Sequence, residues 1–410
     1  MKNTFKEYHQ FTEEEFAEMW KNCIFVFDTN TLLDFYRYSR ETVAKYFQVL
    51  QTLKNNNQIW IPYQVGFEFY ENRLGVISEY ESSYKEILAI LEKTNRDIEN
   101  KYKKHPFLDL HEIKIEVTSA LSGIEKKIRE TQSKHPNWLD KDDVLENINN
   151  IFEGNIGAPY DEKKMNEIKE EGKKRYEKKI PPGFKDNSKP EDKKYGDLII
   201  WNQIIDKAKE IKKAIIFVSG DVKEDWWLMN EGRKIMPLPQ LKKEIYDRTK
   251  QKFQIYTSDR FLEQFFKSIK NNDEKTINEV REIREIEERK IQINKLKELI
   301  FQFNNLRRVL FNLIDQINSK NIPENLKIDL AKFNVILNEL PTEEFAINFN
   351  IDKKHIILSK LNSLLFTLDA VLGTQEIQND SRAYSEISKL RLSFYDWAIS
   401  LSNFEVFYPL

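Results

Sequence analysis

The chain has 410 residues, of which 40% are hydrophobic and 12% aromatic, enough for two or three domains with sizeable cores. Its formal net charge of -2 argues against tight non-specific DNA binding, although it leaves room for an enzyme that uses a local basic patch. The single cysteine, Cys23, excludes intramolecular disulfides and cysteine-only zinc sites. We find neither a signal-peptide pattern nor about 18 consecutive apolar residues, and we therefore expect a soluble cytoplasmic protein without a membrane partner.

The first part of the chain alternates predicted helices and strands. A lead-in helix over Glu13–Asn22 precedes a strand over Ile24–Asp28. A helix over Glu41–Leu53, a strand over Gln58–Pro62 and a helix from Tyr63 to about residue 80 follow. Strands and helices that alternate at this density predict a parallel sheet.

A long helical insertion is expected within this α/β domain. From about residue 76 to 180 charged helical segments dominate, and two His-Pro pairs favour helix breaks. The sheet pattern then returns with a helix over Tyr195–Ile211 and strands over Ala214–Ser219 and Phe253–Thr257. Asp259 is expected to cap a last short helix of this domain.

The C-terminal region, residues 271–410, has no convincing strand pattern. Apolar residues at a and d spacing are Ile293, Leu296, Ile300, Phe303, Leu310, Ile314 and Ile317. Arg307 interrupts this run, which is short for an autonomous coiled coil, so an all-α bundle packed on itself or on a second copy is expected. Further helices are predicted around Lys327–Leu340, Ile351–Leu372 and Ser381–Leu401.

Four acids stand where a parallel sheet can bring them together. Asp28 and Asp221 follow apolar strands, Glu68 lies on a helix between two phenylalanines, and Asp197 opens a helix. In an open α/β sheet, ligands bind at the carboxyl ends of the strands. Clustered carboxylates hold Mg²⁺ or Mn²⁺, and such ions activate water for phosphodiester hydrolysis. Asp225 is an additional candidate metal ligand.

Each of these residues also has an ordinary structural interpretation. Asp28 can be the N-cap of the following helix, Asp221 a turn residue, and Asp197 a helix-start acid that suits the helix dipole. A lone Glu68 can belong to a solvated helix face. Asn30, a candidate partner of the metal ligands, can be a turn residue. The Trp-Trp pair at 226 and 227 is more typical of core packing than of base stacking.

A basic segment precedes Asp197 and is a candidate nucleic-acid-binding element. Its candidate contacts are Lys173, Lys174, Arg175, Lys178, Lys179 and Lys185, with Lys189, Lys193 and Lys194 adding charge. Tyr176 or Phe184 could stack on bases. The alternative is a solvated loop.

Six strings occur in order within residues 20–268: FVFDTNTLLDFYR, IWIPYQVGFEFYENR, IPPGFKD, YGDLIIWNQII, IIFVSGDVKEDWW and SDRFLEQF. Together they resemble the PIN-domain ribonucleases, and more closely a bacterial PIN-like group. The resemblance implies a PIN-like three-layer α/β/α domain over residues 1–270. It implies Asp28, Glu68, Asp197 and Asp221 as a Mg²⁺ or Mn²⁺ site, with Ser219 beside the last acid. Gly220 departs from the pattern, which has a second acid there.

The resemblance implies a metal-dependent endoribonuclease that leaves a 5′-phosphate and a 3′-hydroxyl, and PIN nucleases often serve as toxins or phage-defence effectors. The first alternative is a structure-specific DNA nuclease. A haloacid-dehalogenase-type phosphatase is disfavoured because Asn30 stands where that chemistry needs a second acid. The non-enzymatic alternative is an interaction protein with a degenerate site. The C-terminal helices are expected to bind a second copy or a regulatory protein.

Overall fold

The computed structural model describes residues 1, 5–101, 107, 110–187, 189–220, 225–230, 233–318, 351–402 and 404. The chain divides into two compact units, Met1–Arg284 and Glu285–Leu410. This division falls inside one long helix, Glu274–Asn318, whereas the sequence placed the domain boundary after residue 270. The division into a nuclease domain over residues 1–270 and a helical domain over residues 271–410 stays a prediction.

A parallel sheet forms the centre of the first unit. The strands are β1 (Ile24–Phe27), β2 (Ile59–Trp60), β3 (Ile215–Val218), β4 (Trp227–Asn230), β5 (Arg233–Pro237) and β6 (Phe253–Tyr256). Four of them pair in parallel in the order β2–β1–β3–β6, with Ile24 opposite Ile215 in the central pair. Every residue of β1 and β3 is buried, as expected for strands covered on both faces.

Helices surround this sheet and form the second unit. They are α1 (Glu13–Asn22), α2 (Thr29–Leu33), α3 (Arg40–Asn55), α4 (Tyr63–Lys101), α5 (Leu110–Ser133), α6 (Asp143–Phe152), α7 (Glu162–Glu177), α8 (Gly196–Ile211), α9 (Pro239–Thr249), α10 (Ser258–Ser268), α11 (Glu274–Asn318), α12 (Ile351–Leu372), α13 (Gln375–Gln378) and α14 (Ser381–Ser402).

Aromatic contacts show that the sheet is the middle of three layers. Phe25 of β1 packs at 5.5 Å against Phe261 of α10, so this helix covers one face. Phe253 of β6 packs at 5.0 Å against Trp201 of α8. The paired register puts Phe253 opposite Ile215, which in turn lies opposite Ile24, so these side chains share the face opposite Phe25. The expected α/β/α fold with a helical C-terminal region is confirmed.

Two local predictions differ from the structure. Helix α4 does not end near residue 80 but continues to Lys101, because no proline or glycine pair interrupts its polar second half. Asp259 does not cap α10; Thr257 is the N-cap residue. Asp259 instead lies buried in the first turn and pairs with Arg284 at 3.0 Å and Arg281 at 3.3 Å. Strands β4 and β5 form an antiparallel hairpin that the sequence did not predict.

The second unit has an apolar core of its own within its described residues. Phe303 of α11, Leu364 of α12 and Phe394 of α14 are fully buried in this core. Trp397 Nε1 donates a hydrogen bond to the carbonyl of Leu299 at 2.7 Å. Of the a and d residues whose side chains the structure describes, Leu296, Ile300, Phe303 and Leu310 are buried and Ile293 is half-buried. The helix predicted over residues 327–340 lies outside the described residues, and association through these helices stays a prediction.

One described helix passes a length-and-composition test for a membrane span. The segment Asp352–Leu372 of α12 has a mean hydropathy of 1.3, although no uninterrupted run of 18 apolar residues occurs in it. Its Leu361, Leu364 and Leu368 are buried in the core of the second unit. A core helix meets the same test, so this single helix is weak support for a membrane span.

Candidate active site

Asp28 lies at the carboxyl end of β1, where the neighbouring strand β3 fixes its carboxylate. Ser219 follows β3 and donates from Oγ to Asp28 Oδ2 at 2.6 Å. The backbone N–H of Thr29 donates to Asp28 Oδ1 at 2.8 Å, so Asp28 is also the N-cap of α2. Asp28 is 8% exposed and Ser219 2% exposed. Parallel pairing of β1 with β3 explains why residues far apart in sequence meet here.

Glu68 reaches the same edge of the sheet from the second turn of α4. Gln64 Nε2 donates to Glu68 Oε1 at 2.9 Å, and Thr29 Oγ1 donates to Oε2 at 3.0 Å. Burial raises the pKa of the Glu68 carboxyl, and the nearby Asp197 carboxylate raises it further, while the two hydrogen bonds favour the charged form. A Cβ atom on Gly196 would stand 2.7 Å from Glu68 Oε1, so the start of α8 packs directly against this carboxyl.

Asp197 lies in the first turn of α8, close enough to Glu68 for its negative charge to raise the pKa of the Glu68 carboxyl. The indole Nε1 of Trp226 lies 3.5 Å from Asp197 Oδ2 and donates toward it. Trp226 is 3% exposed and packs against Trp201 and Phe217 at 6.0 and 5.2 Å. Trp226 and Trp227 are therefore core residues, and Trp226 also orients one acid.

These three acids line one cavity of about 440 Å³. Its lining consists of Asp28, Thr29, Asn30, Leu33, Glu68, Asn72, Gly75, Val76, Glu79, Lys189 and Asp197. Sequence reasoning missed Asn72 and Glu79, although they lie four and eleven residues beyond Glu68 and hence on the same face of α4. Asn30, the expected neighbour of the acids, is an exposed part of this lining.

The remaining predicted acids are placed differently. Asp221 lies outside the described residues, so its role stays a prediction. Asp225 is fully buried and is not among the described residues that line the cavity. Its Oδ2 accepts hydrogen bonds from the backbone N–H groups of Gly183 and Lys185 at 3.0 and 3.1 Å. This contact accounts for a buried carboxylate at that position, and a metal-binding role for Asp225 remains untested. At Gly220, a Cβ would make ordinary contact with Asn30 Cβ at 3.7 Å.

The basic segment divides into exposed lysines and a buried structural part. Its exposed members are Lys173, Lys174, Lys178, Lys179, Lys185, Lys189 and Lys193. Arg175 is 7% exposed, and its two terminal nitrogens bind the two carboxylate oxygens of Glu244 at 2.8 Å each. Tyr176 is 4% exposed and stacks on Tyr195 at 5.4 Å. This face of α7 packs on the protein interior and leaves little of either side chain exposed, and their contact with a nucleic acid stays a prediction.

The chemistry of the cavity fits a hard divalent cation. Asp28, Glu68 and Asp197 supply carboxylate oxygens, which Mg²⁺ and Mn²⁺ prefer, and Asn30 and Asn72 add amide groups. Within the described ranges, however, no group of three or more His, Cys, Asp or Glu residues converges tightly enough to hold a metal ion. The cavity therefore offers the type of oxygen donor that these ions prefer. Asp221 is the fourth acid that the sequence predicts for this metal site.

A comparison with protein-family models matches residues 24–241 to a model described as a PIN like domain. This match covers more than half of the chain and includes the strands and helices that carry Asp28, Glu68 and Asp197. No curated protein and no solved structure matches the chain significantly. The chain belongs to the family of PIN-like domains, which are generally nucleases.

Proposed function

We propose that this protein is a metal-dependent endoribonuclease that hydrolyses RNA phosphodiester bonds in its acidic cavity. The observation that carries the proposal is the meeting of Asp28, Glu68 and Asp197 in one cavity at the carboxyl edge of the sheet. The family contributes a nuclease-type fold, and PIN domains usually use divalent metals. The specific choice of RNA rests on the resemblance of the ordered sequence strings to ribonucleases.

The three described acids, together with Asp221, would hold Mg²⁺ or Mn²⁺. A bound divalent cation supplies an activated water and neutralises charge that grows on the phosphate oxygens. Ser219 fixes the orientation of Asp28, while Gln64 and Thr29 fix that of Glu68. These hydrogen bonds preorganise the carboxylates, so little reorientation is needed when substrate arrives.

The Glu68 carboxyl can bind a proton, so its protonation affects this site. Because burial and Asp197 raise its pKa, the carboxyl retains its proton to a higher pH than an exposed glutamate. A cation at the cavity competes with that proton, since both bind to the same carboxylate oxygens. Cleavage is therefore expected to increase with pH until Glu68 is ionised.

The experiment that tests the proposal is cleavage of a labelled RNA pool that includes tRNA, in Mg²⁺, in Mn²⁺ and in EDTA. Wild type is compared with Asp28→Asn and with Asp192→Asn, a control at an exposed acid outside the cavity lining. We expect metal-dependent cutting by wild type and by the Asp192 variant, with a loss of at least about 100-fold in Asp28→Asn. Equal cutting by Asp28→Asn would refute the proposal.

Single-stranded and flap DNA tested in parallel separate the ribonuclease from the first alternative. Efficient cutting of DNA with RNA left intact would mean that the substrate is DNA and that the acidic cavity cleaves it. No cutting of any nucleic acid, together with no stabilisation by Mn²⁺, would favour an interaction protein with a degenerate site.

We propose a secondary role as a toxin or phage-defence effector, because the sequence resembles PIN nucleases, which often serve in this way. Induced expression of the wild type is expected to slow bacterial growth, whereas Asp28→Asn at equal abundance is expected to leave it unchanged. Ordinary growth with active wild-type enzyme present at high level would argue against this role.

A further inference from the structure

Lys189 is the one cationic side chain among the described residues that line the acidic cavity. Its side chain is half exposed, and its Nζ pairs with Asp186 Oδ2 at 2.8 Å. Its positive charge also acts on Glu68, where it favours the ionised carboxylate against the larger effect of burial. Lys189 therefore lies within electrostatic reach of Glu68, and half of its side chain is still exposed to solvent.

The segment that precedes Lys189 is held by contacts with buried acids. Asp225 accepts hydrogen bonds from the N–H groups of Gly183 and Lys185, and Asp225 is fully buried. Asp186, which binds Lys189, is itself 7% exposed, and its carbonyl accepts a hydrogen bond from the Lys189 N–H at 2.9 Å. These contacts hold the backbone beside Lys189, and the buried Asp186 carboxylate gives its ammonium group a partner.

The same loop is also packed against the third acid. Gly183 has a φ of +90°, and a Cβ at this position would stand 3.2 Å from Asp197 Cβ. It would also clash with Tyr176 Oη. The loop at Gly183 therefore packs closely against Asp197.

A cavity lined by several carboxyl groups repels a phosphodiester, whose charge is also negative. A divalent cation offsets part of that repulsion, and a lysine on the rim supplies a further positive charge at the phosphate. Arg175 pairs with Glu244 and Lys173 with Glu170, at 2.8 and 2.7 Å, and neither is among the described residues that line the cavity. Lys189 is the member of the basic segment that the structure brings to the cavity.

We propose that Lys189 binds the phosphodiester of the substrate at the acidic cavity, and that Asp186 and Asp225 are the residues that position it. This inference rests on the proposed function, since it assigns the phosphate contact of the same site. The competing explanation is that Lys189 only offsets the charge of the carboxylates, in which case its removal leaves cleavage intact.

The test uses the full-length protein with Lys189→Gln, which removes the charge, and Lys189→Arg, which retains it. Lys209→Gln is the matched control, because Lys209 is an exposed lysine in the last turn of α8, away from the acid at the start of that helix. For each protein we would measure kcat and KM on labelled RNA at two salt concentrations, and thermal stabilisation by Mn²⁺. Binding of a labelled RNA oligonucleotide in EDTA, by fluorescence anisotropy, gives a readout that does not need cleavage.

We expect Lys189→Gln to lower kcat/KM by about 10- to 100-fold, with most of the loss restored in Lys189→Arg. In Lys189→Gln, the slope of the logarithm of the RNA-binding constant against the logarithm of salt concentration should become shallower by the contribution of about one phosphate contact. Stabilisation by Mn²⁺ should be unchanged or larger, because removing a nearby positive charge favours a bound cation. A residue with a purely structural role would not produce this combination.

Activity of Lys189→Gln within about threefold of Lys209→Gln would overturn the inference while leaving the nuclease intact. Loss of Mn²⁺ stabilisation together with a lower unfolding temperature would also overturn it, since the lysine would then act on the fold. A wild type that binds RNA through Lys189 but never cuts would support this contact and refute the nuclease. A wild type that neither cuts nor binds nucleic acid would refute both.

Discussion

Replacing Asp225 separates the two roles that this acid could have, as a metal ligand and as a support of the loop beside the cavity. Its carboxylate is fully buried and accepts hydrogen bonds from two backbone N–H groups, at 3.0 and 3.1 Å. A hydrogen bond to a charged group contributes about 1.5–3 kcal/mol, and a buried donor without its acceptor costs a similar amount. Asp225→Ala is therefore expected to lower the free energy of unfolding by about 3–5 kcal/mol.

Asp225→Asn gives the sharper comparison. The amide oxygen still accepts the two N–H groups, so the expected loss is only about 1–2 kcal/mol, from the weaker neutral hydrogen bonds. If Asp225 supports the loop, Asn should retain most of the activity and bind Mn²⁺ normally. If Asp225 is a metal ligand, Asn should lose activity and Mn²⁺ stabilisation while the free energy of unfolding changes little.

Urea unfolding followed by tryptophan fluorescence is a suitable assay, because six of the seven tryptophans lie in Met1–Arg284. The midpoint should fall in the order wild type, Asp225→Asn, Asp225→Ala with an unchanged slope. Asp192→Asn is the control, and as an exposed acid it should stay within about 0.5 kcal/mol of wild type. An Asp225→Ala protein as stable as the control would refute the reasoning.

Three further outcomes are expected around the cavity. Gly196→Ala should change the free energy of unfolding by no more than about 1 kcal/mol. It should nevertheless reduce kcat, because the new Cβ would stand 2.7 Å from Glu68 Oε1. The control Gly123→Ala, which has open space around the new Cβ, should keep the wild-type kcat. Ser219→Ala should lower kcat/KM about tenfold in the cleavage assay, since it removes the donor to Asp28 Oδ2, and unchanged kinetics would contradict that. The pKa of Glu68 is raised in the folded protein, so its contribution to metal-free stability falls as pH rises from the unfolded pKa through the folded one. Thermal unfolding across pH should therefore show wild type losing stability relative to Glu68→Gln over this window, and a constant difference between the two proteins would contradict the assignment.

The sheet and its edge could be predicted because buried parallel strands have a simple sequence pattern. The apolar runs of β1 and β3 are buried at all positions, and each leads into a polar residue at the same edge. A strand-end residue such as Asp28 is thus located by its strand alone. Glu68 was identified by its apolar neighbours, one of which, Phe69, is 1% exposed.

The remaining features depend on contacts between distant segments, which residue patterns do not encode. Arg175 is in a basic run, and only its pairing with Glu244 of α9 shows that it is buried. Asp225 is acidic and follows the strand-end motif, yet its carboxylate accepts a hydrogen bond from the N–H of Gly183, which lies 42 residues earlier in the chain. The hairpin β4–β5 is only partly buried, so its residues lack the apolar run that identified the sheet strands.

The most direct test of the central claim is parallel measurement of Mn²⁺ binding and RNA cleavage in four variants, Asp28→Asn, Glu68→Gln, Asp197→Asn and Asp192→Asn. If the three acids form one metal-dependent site, each cavity variant should bind Mn²⁺ more weakly by isothermal titration and lose cleavage together. The Asp192 control should match wild type in both. Wild-type cleavage by any of the three cavity variants, or cleavage lost with unchanged Mn²⁺ affinity in all three, would contradict the account.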